Sequence, residues 1–120
     1  MIVNEKLLSL EKEAMEMLIA QSKVDKDVLL NQLSAATVVS RDFSGSGFFT
    51  HYEIQNNTLK ASTNLASPIR GVYAKISGLE IGVGFLLFLK NGQIDTLECY
   101  EYDSVEFPIE ITDYTLTYAL

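Results

Sequence analysis

Apolar positions recur at three-to-four-residue spacing from Asn4 to about Gln21: Leu7, Leu8, Ala14, Met15, Leu18 and Ile19, with Leu10 and Met17 widening the stripe. The spacing predicts an amphipathic helix, capped by Asn4 and with Glu5 at the positive end of the helix dipole. A shorter helix is predicted from about Asp25 or Asp27 to Leu33, with an Asp cap and with Val28, Leu29 and Leu33 turned inward. After Ser34 the period drops to two, and β-branched and aromatic residues take over. Strands are predicted at 37–43, 48–54, 71–77, 83–89, 94–102 and 114–119. The polar stretch 55–70, with Asn56-Asn57 and Ser67-Pro68, reads as a long loop. Short connections elsewhere make an antiparallel meander the simplest topology. The expected fold class is α+β, with two N-terminal helices (about residues 4–33) packed on one face of a mainly antiparallel sheet of about 5–6 strands (about residues 36–120).

Asn91-Gly92 is the strongest local signal. Both residues tolerate positive φ, as a type I′ turn requires, and that turn's twist matches its flanking strands. A two-residue loop pairs Lys90 with Gln93, Leu89 with Ile94 and Phe88 with Asp95, each pair sharing a face. Continued, this register puts Leu86, Phe88, Leu97 and Cys99 on one face, with Asp95 near the turn. Phe85, Leu87, Leu89, Ile94, Thr96, Glu98, Tyr100 and Tyr102 fall on the other. The first set is the expected core face. Two helices cover one side of a sheet, so the second face is expected to be partly exposed, and its apolar groups and tyrosines resemble a contact surface. In the competing reading the loop 55–70 curls over that face.

At 120 residues the chain is expected to form a single domain, 1–120, burying roughly two-thirds of its unfolded surface. The single cysteine, Cys99, excludes an internal disulfide and a paired-cysteine metal site, which suits a reducing, cytoplasmic setting. The first residues lack a basic segment followed by an apolar run, so no signal peptide is expected. The apolar run 83–89 is far short of the roughly 20 residues that span a bilayer, so no membrane partner is expected.

The net charge of −7 is unevenly placed. Residues 1–92 hold nine acids and nine bases, whereas 93–120 hold Asp95, Glu98, Glu101, Asp103, Glu106, Glu110 and Asp113 with no Lys or Arg. A field of one sign repels nucleic acid and attracts basic surfaces. The plain alternative is that these acids only keep the domain soluble.

Candidate chemistry is sparse. His51, the only histidine, shares a strand face with Phe49 and Glu53, and a base oriented by a carboxylate needs such a neighbour. No Ser or Cys lies in a nucleophile elbow, so no catalytic residue is assigned. Gly45-Ser46-Gly47 and Gly82-Val83-Gly84 lead into strands, not helix N-termini, and are read as turn or bulge glycines, not phosphate cradles. Cys99 is read as a small buried hydrophobe. Asp95, Glu98, Glu101 and Asp103 do not follow the calcium-loop spacing, so neither metal nor cofactor is expected. Glu98 lies among Thr96, Tyr100 and Tyr102, where partial burial raises a carboxylate's pKa and a tyrosine hydrogen bond is the bland alternative.

Gly45-Ser46-Gly47-Phe48-Phe49, then Gly82-Val83-Gly84-Phe85-Leu86-Leu87-Phe88, Asn91-Gly92-Gln93-Ile94 and Leu97-Glu98-Cys99-Tyr100-Glu101-Tyr102 resemble a group of small uncharacterised bacterial proteins. The likeness covers about residues 38–108. It departs at Cys99, where that group often has Gly, and at Phe107-Pro108, where it has Trp-Pro. The resemblance implies a bacterial α+β domain and brings no activity or catalytic residue.

The leading expectation is a non-enzymatic interaction domain whose acidic C-terminal third engages a basic protein partner, in the manner of an immunity protein masking a basic toxin. Its expected binding residues are Glu98, Tyr100, Tyr102, His51, Asp95, Glu101 and Asp103. The alternative is a small-molecule-binding protein or minor enzyme with a pocket between the sheet and loop 55–70, near His51, Glu98, Tyr100 and Tyr52. Homodimerisation through the exposed sheet face is a third.

Overall fold

The apolar stripe of the N-terminal segment and the period-two texture after it build the two predicted kinds of element. A computed structural model describes residues 5–55, 58–62, 67–77, 82–101 and 111–119. Helices α1 (Glu5–Ala20) and α2 (Lys26–Ala35) precede strands β1 (Thr37–Phe43), β2 (Gly47–Glu53), β3 (Ile69–Ile76), β4 (Val83–Lys90), β5 (Gln93–Glu101) and β6 (Tyr114–Tyr118). The fold is α+β, as expected. The Asn4 cap lies outside the described residues.

Every strand pair is antiparallel, but the order is β1-β2-β5-β4-β3-β6 and not a meander. The long connection after β2 carries the chain past two strand positions, and the β4–β5 hairpin fills the gap. This puts the most apolar strands at the centre of the sheet and the polar β1 and β6 at its edges. Gly47 lets β2 close on β5, since a Cβ there would lie 2.1 Å from the Cys99 carbonyl oxygen.

The Asn91-Gly92 turn forms with positive φ at both residues. The register beyond it differs from the continuous one. Leu89 pairs with Ile94, but Phe88 pairs with Thr96, because Asp95 is the extra residue of a β-bulge. One added residue changes which β4 residues share a face with the β5 residues beyond it. Phe85 and Leu87 therefore join Leu97 and Cys99 in the core, and Leu86 and Phe88 turn to the other side, where they are half-buried.

The core lies between the sheet and the helices. Leu10, Ala14, Leu18 and Ile19 of α1 and Leu29 of α2 are fully buried with Phe48, Val72, Val83, Leu87 and Leu97. Helix α1 lies over β3, β4 and β6, and α2 lies over β5. No helix among the described residues is long and apolar enough to cross a membrane.

Gln32 and Thr50 are the polar side chains fully inside among the described residues. Gln32 of α2 donates through Nε2 to the carbonyl oxygens of Leu59 and Gly92, and its Oε1 accepts from the N–H of Ile94, all at 2.9 Å. It gives partners to main-chain groups of the loop, the turn and the residue next to the bulge. Asp25 precedes α2 but makes no side-chain cap bond. Its carboxylate accepts the Ser62 N–H at 2.9 Å instead, so the expected cap is a loop anchor. Together with the Ala61 N–H to Gly92 oxygen bond, these contacts hold residues 58–62 against α2 and the hairpin end, not over the open face of the sheet.

Gln32→Leu keeps the side chain's bulk but removes one bond from each of three main-chain groups, two of them on the hairpin, and Gly92 keeps another partner, the Ala61 N–H. We expect it to lower stability by about 3 kcal/mol, read from denaturant midpoints. A loss below about 1 kcal/mol would show that water replaces the amide.

Candidate functional site

Strand alternation and the bulge at Asp95 together decide what faces away from the helices. Three cross-strand rows result. Gly47, Tyr100, Gly84, Tyr73 and Thr117 form the first, Asp42, Phe49, Glu98 and Leu86 the second, and Ser40, His51, Thr96 and Phe88 the third. Tyr100 is flanked on both sides by glycines, and Phe49 by carboxylates. Phe49, Leu86, Phe88, Tyr73 and Tyr100 are all half-buried.

A polar chain crosses the third row. His51 Nε2 lies 3.0 Å from Asp42 Oδ2, Nδ1 lies 3.1 Å from Thr96 Oγ1, and the Thr96 hydroxyl donates to Asp95 Oδ2 at 2.9 Å. A carboxylate only accepts, so Nε2 carries a proton. The carboxylate on His51 is Asp42 of β1, not the expected Glu53. Hydroxyl, imidazole and carboxylate stand in the order of a nucleophilic triad, but Thr96 is 8% exposed and gives its proton to Asp95. The arrangement laces β1, β2 and β5 together.

Glu98 stands one row away. Burial raises its pKa above the ordinary carboxylate value. On β1, β2 and β5 the open face carries Asp42, Glu53, Asp95 and Glu98, and the only Lys or Arg on these strands, Arg41, points to the other side. Arg70 and Lys75 belong to β3 and Lys90 to β4, and alternation puts Lys75 and Lys90 on the open face of that other half of the sheet. His51, Asp95, Glu98 and Tyr100 are thus brought together. Glu101 alternates to the helix side, and Tyr102 and Asp103 lie outside the described residues. Cys99 is buried, and burial pushes its thiol pKa up, as suits a core position.

On the helix side, β1 and β2 extend beyond the helices and leave a cleft of about 580 Å³. Leu8, Met15, Leu30, Leu33 and Val38 form its apolar walls, and Glu11, Arg41 and Tyr52 its polar floor. Glu11, 3% exposed, accepts two bonds from Arg41, from Nη2 at 2.6 Å and Nε at 3.0 Å, and one from the Thr50 hydroxyl. The Glu11 hydrogen bond raises the Arg41 pKa further, and burial, then the Glu11 charge, raises that of Tyr52, so both stay protonated as donors. No described residue bonds the Tyr52 hydroxyl. The cleft can take an apolar body with a hydrogen-bond-accepting head. Among the described residues no group of three or more His, Cys, Asp or Glu is placed to hold a metal ion.

The pocket expected near His51, Glu98 and Tyr100 is not where this cleft lies, and of the residues named for it only Tyr52 lines it. The sequence held one usable signal for the cleft: Glu11 falls between Leu7, Leu10 and Ala14 on the buried stripe, where a carboxylate demands a partner. Compared with protein-family models, curated proteins and solved structures, the chain matches none.

Glu11→Leu leaves the Arg41 guanidinium without its carboxylate, and we expect a loss of about 3 kcal/mol in urea unfolding. Adding Arg41→Met should recover most of it, because the pair's value lies in mutual neutralisation. Additive losses would show that water solvates both groups.

Proposed function

We propose that the chain is a non-enzymatic binding module that engages a basic protein partner through the β1–β2–β5 half of its open sheet face. The observation that carries this reading is the sorting of charge and apolar area. Asp42, Glu53, Asp95 and Glu98 of β1, β2 and β5 surround half-buried Phe49 and Tyr100, with Leu86 and Phe88 of β4 beside them. Lys90 at the end of β4 is the nearest base on that face, while those three strands present no Lys or Arg to it. Interfaces combine such aromatic centres with charged rims that steer and orient the partner.

Glu98 gives the reading a specific recognition point. Its charge is penalised by burial, and an arriving Lys or Arg would relieve that penalty and form a charge-assisted hydrogen bond. His51, Asp95 and Tyr100 remain in the proposed surface, and Asp42, Glu53 and Phe49 join it. An immunity-type protein that masks a basic toxin is one form of this function, and it accords with the bacterial setting implied by the motif resemblance. A cytoplasmic location accords with a single, buried, unpaired cysteine. The small-molecule alternative has less support, because the cleft lies across the sheet from His51, Glu98 and Tyr100.

The test is affinity capture from the cells that make the protein, using wild type and Glu53→Lys/Glu98→Lys. Wild type should retain a basic protein at low salt and release it at high salt, and the charge-reversed pair should retain roughly tenfold less or below. Equal capture by both proteins, or retention insensitive to salt, would refute the reading.

A further inference from the structure

The two edges of the sheet are built differently. β1 carries a bulge between Val38 and Ser40 and the charged pair Arg41 and Asp42, devices that keep an edge from pairing. β6 has none of these. It is Tyr114-Thr115-Leu116-Thr117-Tyr118, uncharged, without proline, and paired with β3 in unbroken register along its whole length.

The free edge of β6 has a defined hydrogen-bonding pattern. Asp113 accepts from the Ser77 N–H at 3.0 Å, and the Ala119 N–H donates to Gly71 at 2.8 Å. Antiparallel alternation then turns Thr115 and Thr117 toward β3 as well, and turns the N–H and C=O groups of Tyr114, Leu116 and Tyr118 outward. Among the described residues no strand lies beyond β6.

The strand reads the same in both directions. We propose that β6 is a homodimerisation edge, pairing antiparallel with the β6 of a second copy about a two-fold axis through Leu116. That register sets Leu116 opposite Leu116, Tyr114 opposite Tyr118 and Thr115 opposite Thr117. Each outward-facing main-chain group then meets an outward-facing group of the partner, and every opposed pair is matched in kind. Aromatic pairs and Thr–Thr pairs are among the favourable cross-strand combinations.

Two further features suit a second copy. The Tyr118 hydroxyl donates to the Met17 carbonyl oxygen at 2.9 Å, and the Tyr114 hydroxyl donates to the Glu13 carboxylate, so α1 holds the edge in place before pairing. Preorganisation lowers the entropy cost of docking. The chain carries a net charge of −7, which opposes self-association, yet this strand brings no charge to the contact. A two-fold β6–β6 contact closes on itself as a dimer and leaves the open face of both copies free, whereas a β6–β1 contact would grow without limit.

The test is sedimentation velocity over a concentration series. Wild type should approach twice its 13.4 kDa mass as concentration rises. Thr115→Lys/Thr117→Lys, at two exposed positions, places lysines opposite lysines across the axis and should stay monomeric with an unchanged circular dichroism spectrum. Mixing it with Thr115→Glu/Thr117→Glu should restore a mixed dimer. A wild type that remains monomeric at its solubility limit, a lysine variant that still dimerises, or species growing beyond a dimer would overturn the proposal.

Discussion

A single buried amide holds the pieces of this structure in register. Gln32 reaches from α2 to the β4–β5 hairpin and to the loop beside it, bonding main-chain groups of both. Gly92 lies in the turn and Ile94 beside the bulge at Asp95, and Gln32 bonds both as well as Leu59 of the loop. Gly92 is part of the same constraint, because its φ is +74° and a Cβ there would lie 2.5 Å from the Ala61 carbonyl oxygen. The bulge then sends Leu97 and Cys99 under the helices and Thr96, Glu98 and Tyr100 to the other face.

Two helices are narrower than six strands, and the shortfall shapes both surfaces. Over β3, β4, β5 and β6 the helices close an apolar core. Past their edge, a buried ion pair joins α1 to β1 and β2 beside the apolar packing of Phe48, because Glu11 needs Arg41 and Thr50 to offset the cost of leaving water. That choice keeps the only base of β1 on the helix side. It leaves the opposite face of the same strands with one sign of charge, so the acidic character of the open face is tied to the packing of α1.

Much of the architecture is legible in the residues, because helix and strand periodicities and Asn91-Gly92 are local signals, although β3 begins at Ile69, inside the stretch read as loop. The strand order is not, since β2 pairing with β5 is a long-range consequence of the apolar hairpin taking the centre of the sheet. Continuous alternation puts the wrong face of β4 in the core for one reason. A bulge at Asp95 carries no glycine or proline to announce it, and a single extra residue exchanges Leu86 and Phe88 for Phe85 and Leu87. Face assignment on β5 beyond that point was unaffected, so Glu98 and Tyr100 emerge where alternation put them. Gln32 looked like an ordinary polar helix position, and Asp42 could be joined to His51 only through the β1–β2 register.

In the proposed complex a basic partner covers the open face of β1, β2 and β5 together with Leu86 and Phe88 of β4. Covalent footprinting of the captured complex against the free protein tests it most directly. Phe49, Leu86, Phe88 and Tyr100 should be protected, with Leu8 and Tyr52 of the cleft labelled equally in both states. Protection at Leu8 and Tyr52, with the open face unchanged, would contradict it and move the binding site to the helix side of the sheet.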